Sequence, residues 1–352
     1  MPRYLGMRSI SEIIGLFAIT MAIGFLVAHE AIKTSSLSFM YSSLSSPYFL
    51  GFSYSVDLLL LLIVAVLVVR RHLRYRGRSL FRLLEAIVIT VTSFFLVLLL
   101  LIIVFRNQIP EYLLFSASLI IALAIALAKE RYKSTKDIAT ITSSIGIGIL
   151  LGFGFSFEYV MIGIMLFAVY DYVAVFKTED MKRLASFFVE NDAAFLMSVS
   201  EVEAVPSSML SPEDRKSYLK IIRKTGEYKN PRFAKMLSEG KIPIISHVSL
   251  GEGDIALPLT AMVSAYSFLS DYYLAAIVGI SAILGVSFTM YMLRRYRRPL
   301  PAMPLLFGFM GIASGLYLSL SGFGFRIFPL TLIVAGFLAL LLHVRRTLSN
   351  IR

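Results

Sequence analysis

Long apolar runs recur from one end of this sequence to the other, and they constrain the fold more than any other feature. A helix needs about 20 consecutive apolar residues to cross the roughly 30 Å hydrocarbon core of a bilayer. The chain has 352 residues, 57% of them hydrophobic, and its charged residues are crowded into short stretches between the apolar runs. The runs do not alternate polar with apolar residues, so we interpret them as helices and not as strands of a barrel. The sequence therefore predicts a polytopic integral membrane protein.

The runs predict an all-α bundle of about nine to ten transmembrane helices, because lipid offers no partners for unpaired backbone groups. We divide the chain into residues 1–176, which hold the first six spans, a connecting loop at 177–247, and residues 248–352, which hold the remaining spans. The predicted spans cover residues 13–31, 49–69, 83–105, 112–128, 138–157, 159–176, 249–270, 272–293, 300–321 and 327–344.

Positive charges are distributed unevenly between the two sides of the predicted membrane domain. All of the 34 Lys and Arg residues fall on one side except Lys33, Arg106 and Arg326. Cytoplasmic loops retain Lys and Arg, so we predict that this side, with the connecting loop and both termini, is cytoplasmic and that the protein lies in the plasma membrane. The net charge of +12 is then a topology signal that also favours contact with the lipid bilayer. Its dispersal over several loops argues against nucleic acid as a partner.

Two further residue types exclude other chemistries. Cysteine is absent, which removes disulfides, thiolate metal sites and thiol nucleophiles. His29 and Glu30 are not followed by the second histidine, four positions after the first, that a helical zinc site requires. We predict that the chemistry needs no metal or organic cofactor.

A serine protease would need a nucleophile and a base, and Ser314 with His343 is the nearest candidate pair. Ser314 lies among small residues spaced along its helix, a pattern more typical of a helix-packing surface. The same interpretation applies to other small residues at this spacing, namely Gly148, Gly152, Gly311 and Gly315.

Acidic residues within the apolar spans are the strongest functional candidates, because an ionisable group at membrane depth costs several kcal/mol. Asp57 and Glu85 lie near span ends, and we interpret them as solvated at the interface. Asp171 and Asp254 lie within the sixth and seventh spans, at similar distances from the cytoplasmic ends of consecutive antiparallel helices. The sequence predicts that these two carboxylates face one another.

The residues around Asp254 indicate an unusual helix start. Gly251 and Gly253 remove Cβ atoms where another backbone is expected to come close. Pro258 cannot donate to the carbonyl of Asp254, which loosens the helix there. Glu252 is turned roughly 200° from Asp254 and is expected to point away from it.

A proline-rich segment begins the ninth span, and it consists of Pro301, Ala302, Met303 and Pro304. Prolines push the preceding residues, Leu300 and Met303, toward extended angles. We expect the extended backbone to hold an unwound substrate as an added strand and to help position Asp254. The alternative is a helix that simply starts at a proline.

Together these motifs resemble an archaeal-type member of the presenilin and signal-peptide-peptidase family of intramembrane aspartyl proteases. Tyr170 and Asp171 resemble the Tyr-Asp motif of the sixth helix in that family, and residues 251–254 resemble its Gly-x-Gly-Asp motif on the seventh. Residues 301–304 resemble the Pro-Ala-Leu motif of the ninth, with Met303 in place of leucine. The resemblance extends over residues 138–322.

The resemblance implies an endopeptidase that hydrolyses peptide bonds within or near the transmembrane segments of protein or peptide substrates. Asp171 and Asp254 would share a proton and activate water. The sequence leaves the oligomeric state open, a homo-oligomer included. Two features depart from the family pattern: Glu252 at a position that is usually apolar, and a tenth span where nine are usual. Substrate contacts would come from Tyr170, Gly251, Gly253, Pro301, Ala302, Met303 and Pro304.

Two other functions share some of these features. A proton-coupled secondary transporter or channel also uses intramembrane acids and proline-broken helices, but spans one to five and six to ten show no matching pattern of acids or glycines. A prepilin-peptidase-like enzyme also carries a Gly-x-Gly-Asp acid, but the segment at 301–304 argues against it.

Overall fold

The computed structural model describes residues 7–33, 78–105, 108–132, 135–178, 196–207, 231–296, 300–321 and 327–349, with isolated positions between 212 and 219. The second predicted span, 49–69, and Asp57 lie outside the described residues. The long helices are α1 (Met7–Lys33), α2 (Arg78–Phe105), α3 (Glu111–Arg131), α4 (Lys136–Gly154), α5 (Phe157–Val173), α7 (Glu252–Leu269), α8 (Tyr272–Tyr296), α9 (Met303–Leu320) and α10 (Ile327–Ser349).

Eight of the described helices, α1 to α5 and α8 to α10, are long and apolar enough to cross a membrane. Each follows a predicted span to within several residues at either end. Helix α7 has 18 residues and carries two acids in its first turn. It packs against α1, α4, α5 and α8, so it lies at the centre of the bundle. The predicted class, an all-α polytopic membrane protein, is confirmed.

Large apolar side chains cover the outer surface of the bundle, for example Ile120 and Leu127, each 67% exposed, and Phe337 at 59%. A water-soluble fold would bury such side chains, whereas hydrocarbon is a favourable environment for them. Helix α7 shows the opposite arrangement, since Ile255, Leu259 and most of its other side chains are buried among neighbouring helices.

Glycines allow the close approach of α4 to α7. A Cβ on Gly148 would lie 2.8 Å from the side chain of Leu259, and one on Gly152 would lie 2.6 Å from Cβ of Val263. On α9, a Cβ on Gly315 would lie 2.7 Å from the carbonyl oxygen of Pro329 at the start of α10. The predicted role of these glycines in helix packing is therefore confirmed.

The connecting segment is not a simple loop, because it contains an antiparallel pair of strands, β1 (Leu196–Pro206) and β2 (Lys241–Gly251). A short helix, α6 (Pro231–Ser238), packs against β2. The seventh predicted span, 249–270, begins slightly before the helix, within the uncertainty of several residues that applies to every predicted span end. Residues 249–251 are held in the sheet by pairing with the start of β1, and the helix begins only at Glu252.

One end of this sheet enters the helix bundle. Met197 of β1 and Leu250 of β2 are 0% and 2% exposed, and both belong to the same apolar core as α1 and α7. Strand β1 packs against α1 and α4, while β2 packs against α1 and continues directly into α7. The sheet therefore fixes the direction from which the chain enters the helix that carries Asp254.

Candidate active site

Asp171 lies in the last turn of α5, on the face that packs into the bundle. Ile164 and Ala168, on the same face, are buried, and Asp171 itself is 9% exposed. Its Oδ2 accepts a hydrogen bond from the backbone N–H of Met303 at 3.1 Å, and the backbone of Ala302 also interacts with this carboxylate. Asp171 is thus bound by the start of a helix that lies more than a hundred residues later in the chain.

The amide of Met303 is available because Met303 is the first residue of α9. Amides in the first turn of a helix have no acceptor within the helix, and they form the positive end of its dipole. Pro304 falls in the same turn, where the N–H it lacks is not needed. The expected extended conformation at Met303 is therefore wrong, and the contact observed is with Asp171 and not with Asp254.

Asp254 lies in the first turn of α7, directly after β2. Its Oδ2 accepts the backbone N–H of Gly251 at 3.3 Å, which caps the helix, and its side chain is half-buried. A Cβ on Gly251 would lie 3.1 Å from this same oxygen, so glycine leaves room for the carboxylate itself. At Gly253 no described atom lies within 4 Å of the Cβ position. A close approach of another backbone was expected at both glycines, but no such approach occurs within the described part of the chain.

The structure brings the two acids together. Helices α5 and α7 pack against each other, and Asp171 lies near enough to Asp254 for the charges of the two carboxylates to influence each other. This is the arrangement expected for acids at matching depths on consecutive antiparallel helices. Each carboxylate is also bound by a backbone amide at the start of a helix, α9 for Asp171 and α7 for Asp254, where the amides favour a negative charge.

The residues predicted to contact substrate differ in accessibility. Tyr170 is 46% exposed, beside Asp171 on α5, and Gly253 is exposed on α7. Gly251 and Ala302 are intermediate. Within the proline-rich segment, the buried residues are Pro301, Met303 and Pro304.

The residues of the alternative serine mechanism do not form a site. The Ser314 hydroxyl donates to the carbonyl oxygen of Met310 at 2.6 Å within its own helix. His343 is buried, and no described group forms a hydrogen bond with either of its ring nitrogens. The pair therefore lacks the hydrogen bond between nucleophile and base that this mechanism requires.

Glu85 is not solvated at the interface as its position near a span end had indicated. It is 1% exposed, and its Oε1 lies 2.7 Å from Nζ of Lys129 on α3. A charge partner on a neighbouring helix replaces water as the solvating group. The prediction is wrong because it considered only the distance of Glu85 from the end of its own span.

Sequence reasoning also missed a polar contact of α7. Ser143 of α4 donates a hydrogen bond to Oε1 of Glu252, which is 7% exposed. Glu252 therefore points away from Asp254, as its place on the helix had indicated. The available signal was the run of hydroxyl residues between 140 and 144 in an otherwise apolar span.

Comparison with known proteins identifies the family of the chain. No curated protein matches it. A family model described as signal-peptide peptidase, presenilin aspartyl protease matches residues 14–324, a range that includes both acids and the proline-rich segment. Proteases of this family act in a lipid environment on membrane proteins. The chain therefore belongs to the signal-peptide peptidase and presenilin family of aspartyl proteases, and it is a multi-pass membrane protein.

Proposed function

We propose that the chain is an intramembrane-cleaving aspartyl endopeptidase and that Asp171 and Asp254 perform the chemistry together. The observation that carries the proposal is the packing of α5 against α7, which brings Asp171 and Asp254 near each other. Family membership supports peptide-bond hydrolysis as the reaction.

The two carboxylates act as a pair that shares one proton, because two negative charges in a poorly solvated site repel each other. The ionised partner takes a proton from water as the oxygen attacks the peptide carbonyl carbon. The protonated partner donates its proton to the carbonyl oxygen, which gives a tetrahedral diol. The carboxyl that took the proton from water then gives it to the leaving nitrogen as the carbon–nitrogen bond breaks. The other carboxylate takes a proton from a diol hydroxyl, which releases the new carboxyl group and restores the singly protonated pair.

Backbone amides hold both carboxylates in place for this reaction. Met303 donates to Asp171, and Gly251 donates to Asp254. Both bonds are made to Oδ2 of the carboxylate concerned. In this proposal the proline-rich segment positions Asp171, and the more exposed Tyr170 and Gly253 contact the substrate.

The sheet offers a route for the substrate backbone. A transmembrane helix must be unwound before its peptide bonds can be attacked, and the unwound segment then needs partners for its N–H and C=O groups. Among the described residues β1 and β2 have each other as their only strand neighbours, so both strands have an edge that can accept an added strand. We propose that substrate pairs along such an edge and reaches Asp254 beside the exposed Gly253.

The cleavage assay uses purified protein in detergent with a generic single-span substrate, and it compares the parent with Asp254→Ala. We expect cleavage by the parent, none by the variant, inhibition by hydroxyl-bearing peptide isosteres of the diol, and no inhibition by chelators. The rival function, a proton-coupled transporter, requires ion-coupled flux in liposomes and no peptide cleavage. Ion-coupled flux without peptide cleavage would refute the proposed protease function.

We further propose that the N-terminus and the active site face the cytoplasm of a cell whose plasma membrane holds the protein. The absence of cysteine makes the labelling experiment clean. An impermeant thiol reagent applied to intact cells should label Tyr273→Cys, which is 76% exposed at the opposite end of the bundle, and should not label Arg78→Cys until the cells are opened. Labelling of Arg78→Cys from outside intact cells would show that the protein has the opposite orientation in the membrane.

A further inference from the structure

Helix α7 carries a second acid, Glu252, two residues before Asp254 and on the opposite face of the same turn. The side chain of Glu252 is 7% exposed, and nothing in the chemistry proposed above uses it. An acid buried at this depth costs several kcal/mol unless it has partners, so its partners indicate what it does.

The partners of Glu252 form a chain of hydroxyls across three helices. Ser143 of α4, which is 0% exposed, donates to Oε1 of Glu252. The Ser143 Oγ lies 2.8 Å from Oγ1 of Thr92 on α2, and Thr92 Oγ1 lies 2.8 Å from the carbonyl oxygen of Val88. Glu252 is thus linked through α4 to α2.

The hydrogen bonds that link Glu252, Ser143 and Thr92 can form whether Glu252 is ionised or neutral. When Glu252 is ionised, Ser143 donates to it and Thr92 donates to Ser143. When Glu252 is neutral, every donor reverses: the acid donates to Ser143, Ser143 to Thr92, and Thr92 to the carbonyl oxygen of Val88. The link between α7 and α4 therefore survives gain or loss of a proton.

A buried ion pair lies beside this chain. Glu85 lies on the same face of α2 as Thr92, two turns before it. Its Oε1 lies 2.7 Å from Nζ of Lys129 on α3. Glu85 is also near enough to Glu252 for an electrostatic interaction. Polar groups of α2, α3 and α4 thus lie together near Glu252.

The hydrogen bond between Ser143 and Glu252 lies at the end of the interface between α4 and α7 that is nearest to Asp254. Close apolar contacts at Gly152 with Val263 and at Gly148 with Leu259 pack the second half of α4 against the middle of α7. Those contacts lie more than one helical turn beyond Asp254. The hydrogen bond from Ser143 to Glu252 attaches the first turn of α7, which also carries Asp254, to α4.

We propose that Glu252 is a positioning residue that anchors the first turn of α7 to α4 through Ser143, and that this anchor keeps Asp254 at its working distance from Asp171. The proposal rests on the function proposed above. It requires the hydrogen bond and not the charge of Glu252, so a glutamine, whose amide oxygen can accept from Ser143, should replace it.

The experiment measures kcat and KM of the purified full chain for Ser143→Ala, Glu252→Leu and Glu252→Gln. We expect Ser143→Ala and Glu252→Leu to lower kcat roughly 10- to 100-fold with little change in KM, because a misplacement of about 1 Å can cost that much. We expect Glu252→Gln to retain kcat within about threefold of the parent, since the hydrogen bond is kept.

Ser264→Ala is the matched control. Ser264 is also 0% exposed on α7, and it donates to the carbonyl oxygen of Phe155 at 2.5 Å, at the end of the same interface remote from Asp254. This variant removes a comparable hydrogen bond and should leave kcat near that of the parent.

Three results would overturn the proposal: Ser143→Ala no slower than Ser264→Ala, Glu252→Leu with the parent kcat, or Glu252→Gln as slow as Glu252→Leu. If thermal unfolding experiments show that the Glu252→Leu variant is not folded, Ser143→Ala and Glu252→Gln decide the outcome. Cleavage that persists in Asp254→Asn would instead refute the proposed dyad, so the two failures remain distinguishable.

Discussion

The two central acids resemble each other in chemistry but differ in how their positions are fixed. Asp254 accepts the amide of Gly251, which lies three residues before it in the same helix start. Asp171 accepts the amide of Met303, which belongs to a different helix. The position of Asp254 relative to its amide follows from local capping geometry, whereas that of Asp171 depends on how α9 packs against α5.

This difference divides the site into a locally determined half and an assembled half. A change near Asp254 acts through one turn of one helix, so its effect should be limited to that carboxylate. A change at the start of α9 can displace Asp171 without altering α5 at all. Damage to either half should stop the reaction if both carboxylates are required at the same time.

The largest expected effect tests that requirement. Asp171→Asn and Asp254→Asn should each lower kcat/KM about 1,000-fold or more, and the double variant should be little slower than either single variant, because the pair acts as one unit. The measurement is cleavage of a single-span substrate at matched concentrations of folded protein. Residual activities that multiply would show that the acids act separately.

A smaller but steep loss is expected from the assembled half. Replacing Pro301 and Pro304 together with Ala should lower kcat roughly 10- to 100-fold while the protein stays folded. Without these prolines the helix can begin earlier, and the amide of Met303 is then bound within the helix instead of by Asp171. The comparable change Pro329→Ala, in the first turn of α10, should have little effect on cleavage. Equal cleavage rates for the double variant and the parent would mean that the proline-rich segment only begins α9 and does not position Asp171.

In the local half, Gly251→Ala should lower kcat about tenfold. The backbone angles of Gly251, φ −68° and ψ 146°, suit alanine, so the effect arises from a Cβ placed 3.1 Å from Oδ2 of Asp254. Gly253→Ala is the control, because no described atom lies near its Cβ position. We expect this variant to change KM for substrate more than kcat. The same kcat loss at both positions would mean that crowding of Asp254 is not the cause.

The smallest effect on cleavage is expected away from both acids. Gly152→Ala places a Cβ 2.6 Å from that of Val263 and should lower the free energy of unfolding by about 1–3 kcal/mol with little change in kcat. Gly154→Ala, on the same helix with open space at its Cβ position, should be neutral or slightly stabilising. The measurement is the unfolding temperature in detergent. A large fall in kcat for Gly152→Ala would show that the packing at Gly152, and not the contact of Ser143 with Glu252 alone, controls the position of Asp254.

Much of the fold was predictable because its signals are local. A run of apolar residues long enough to cross the bilayer can be recognised without knowing its neighbours, so the described spans were predicted to within several residues. The strands were missed because the segment before α7 was interpreted as a polar connection. Val and Ile interspersed with Ser and Glu in 198–205 and 242–248 were the available signal, but they are short and fall outside the membrane spans.

The sequence by itself indicated which helices are long and apolar enough to cross a membrane, which acids lie within or beside them, and that Asp171 and Asp254 should lie near one another. Only the tertiary structure decided which groups meet these acids: Met303 at Asp171, Ser143 at Glu252 and Lys129 at Glu85. The physical reason is that depth follows from position along one helix, whereas a contact between helices also depends on how each is rotated and on how closely glycines allow it to approach its neighbour.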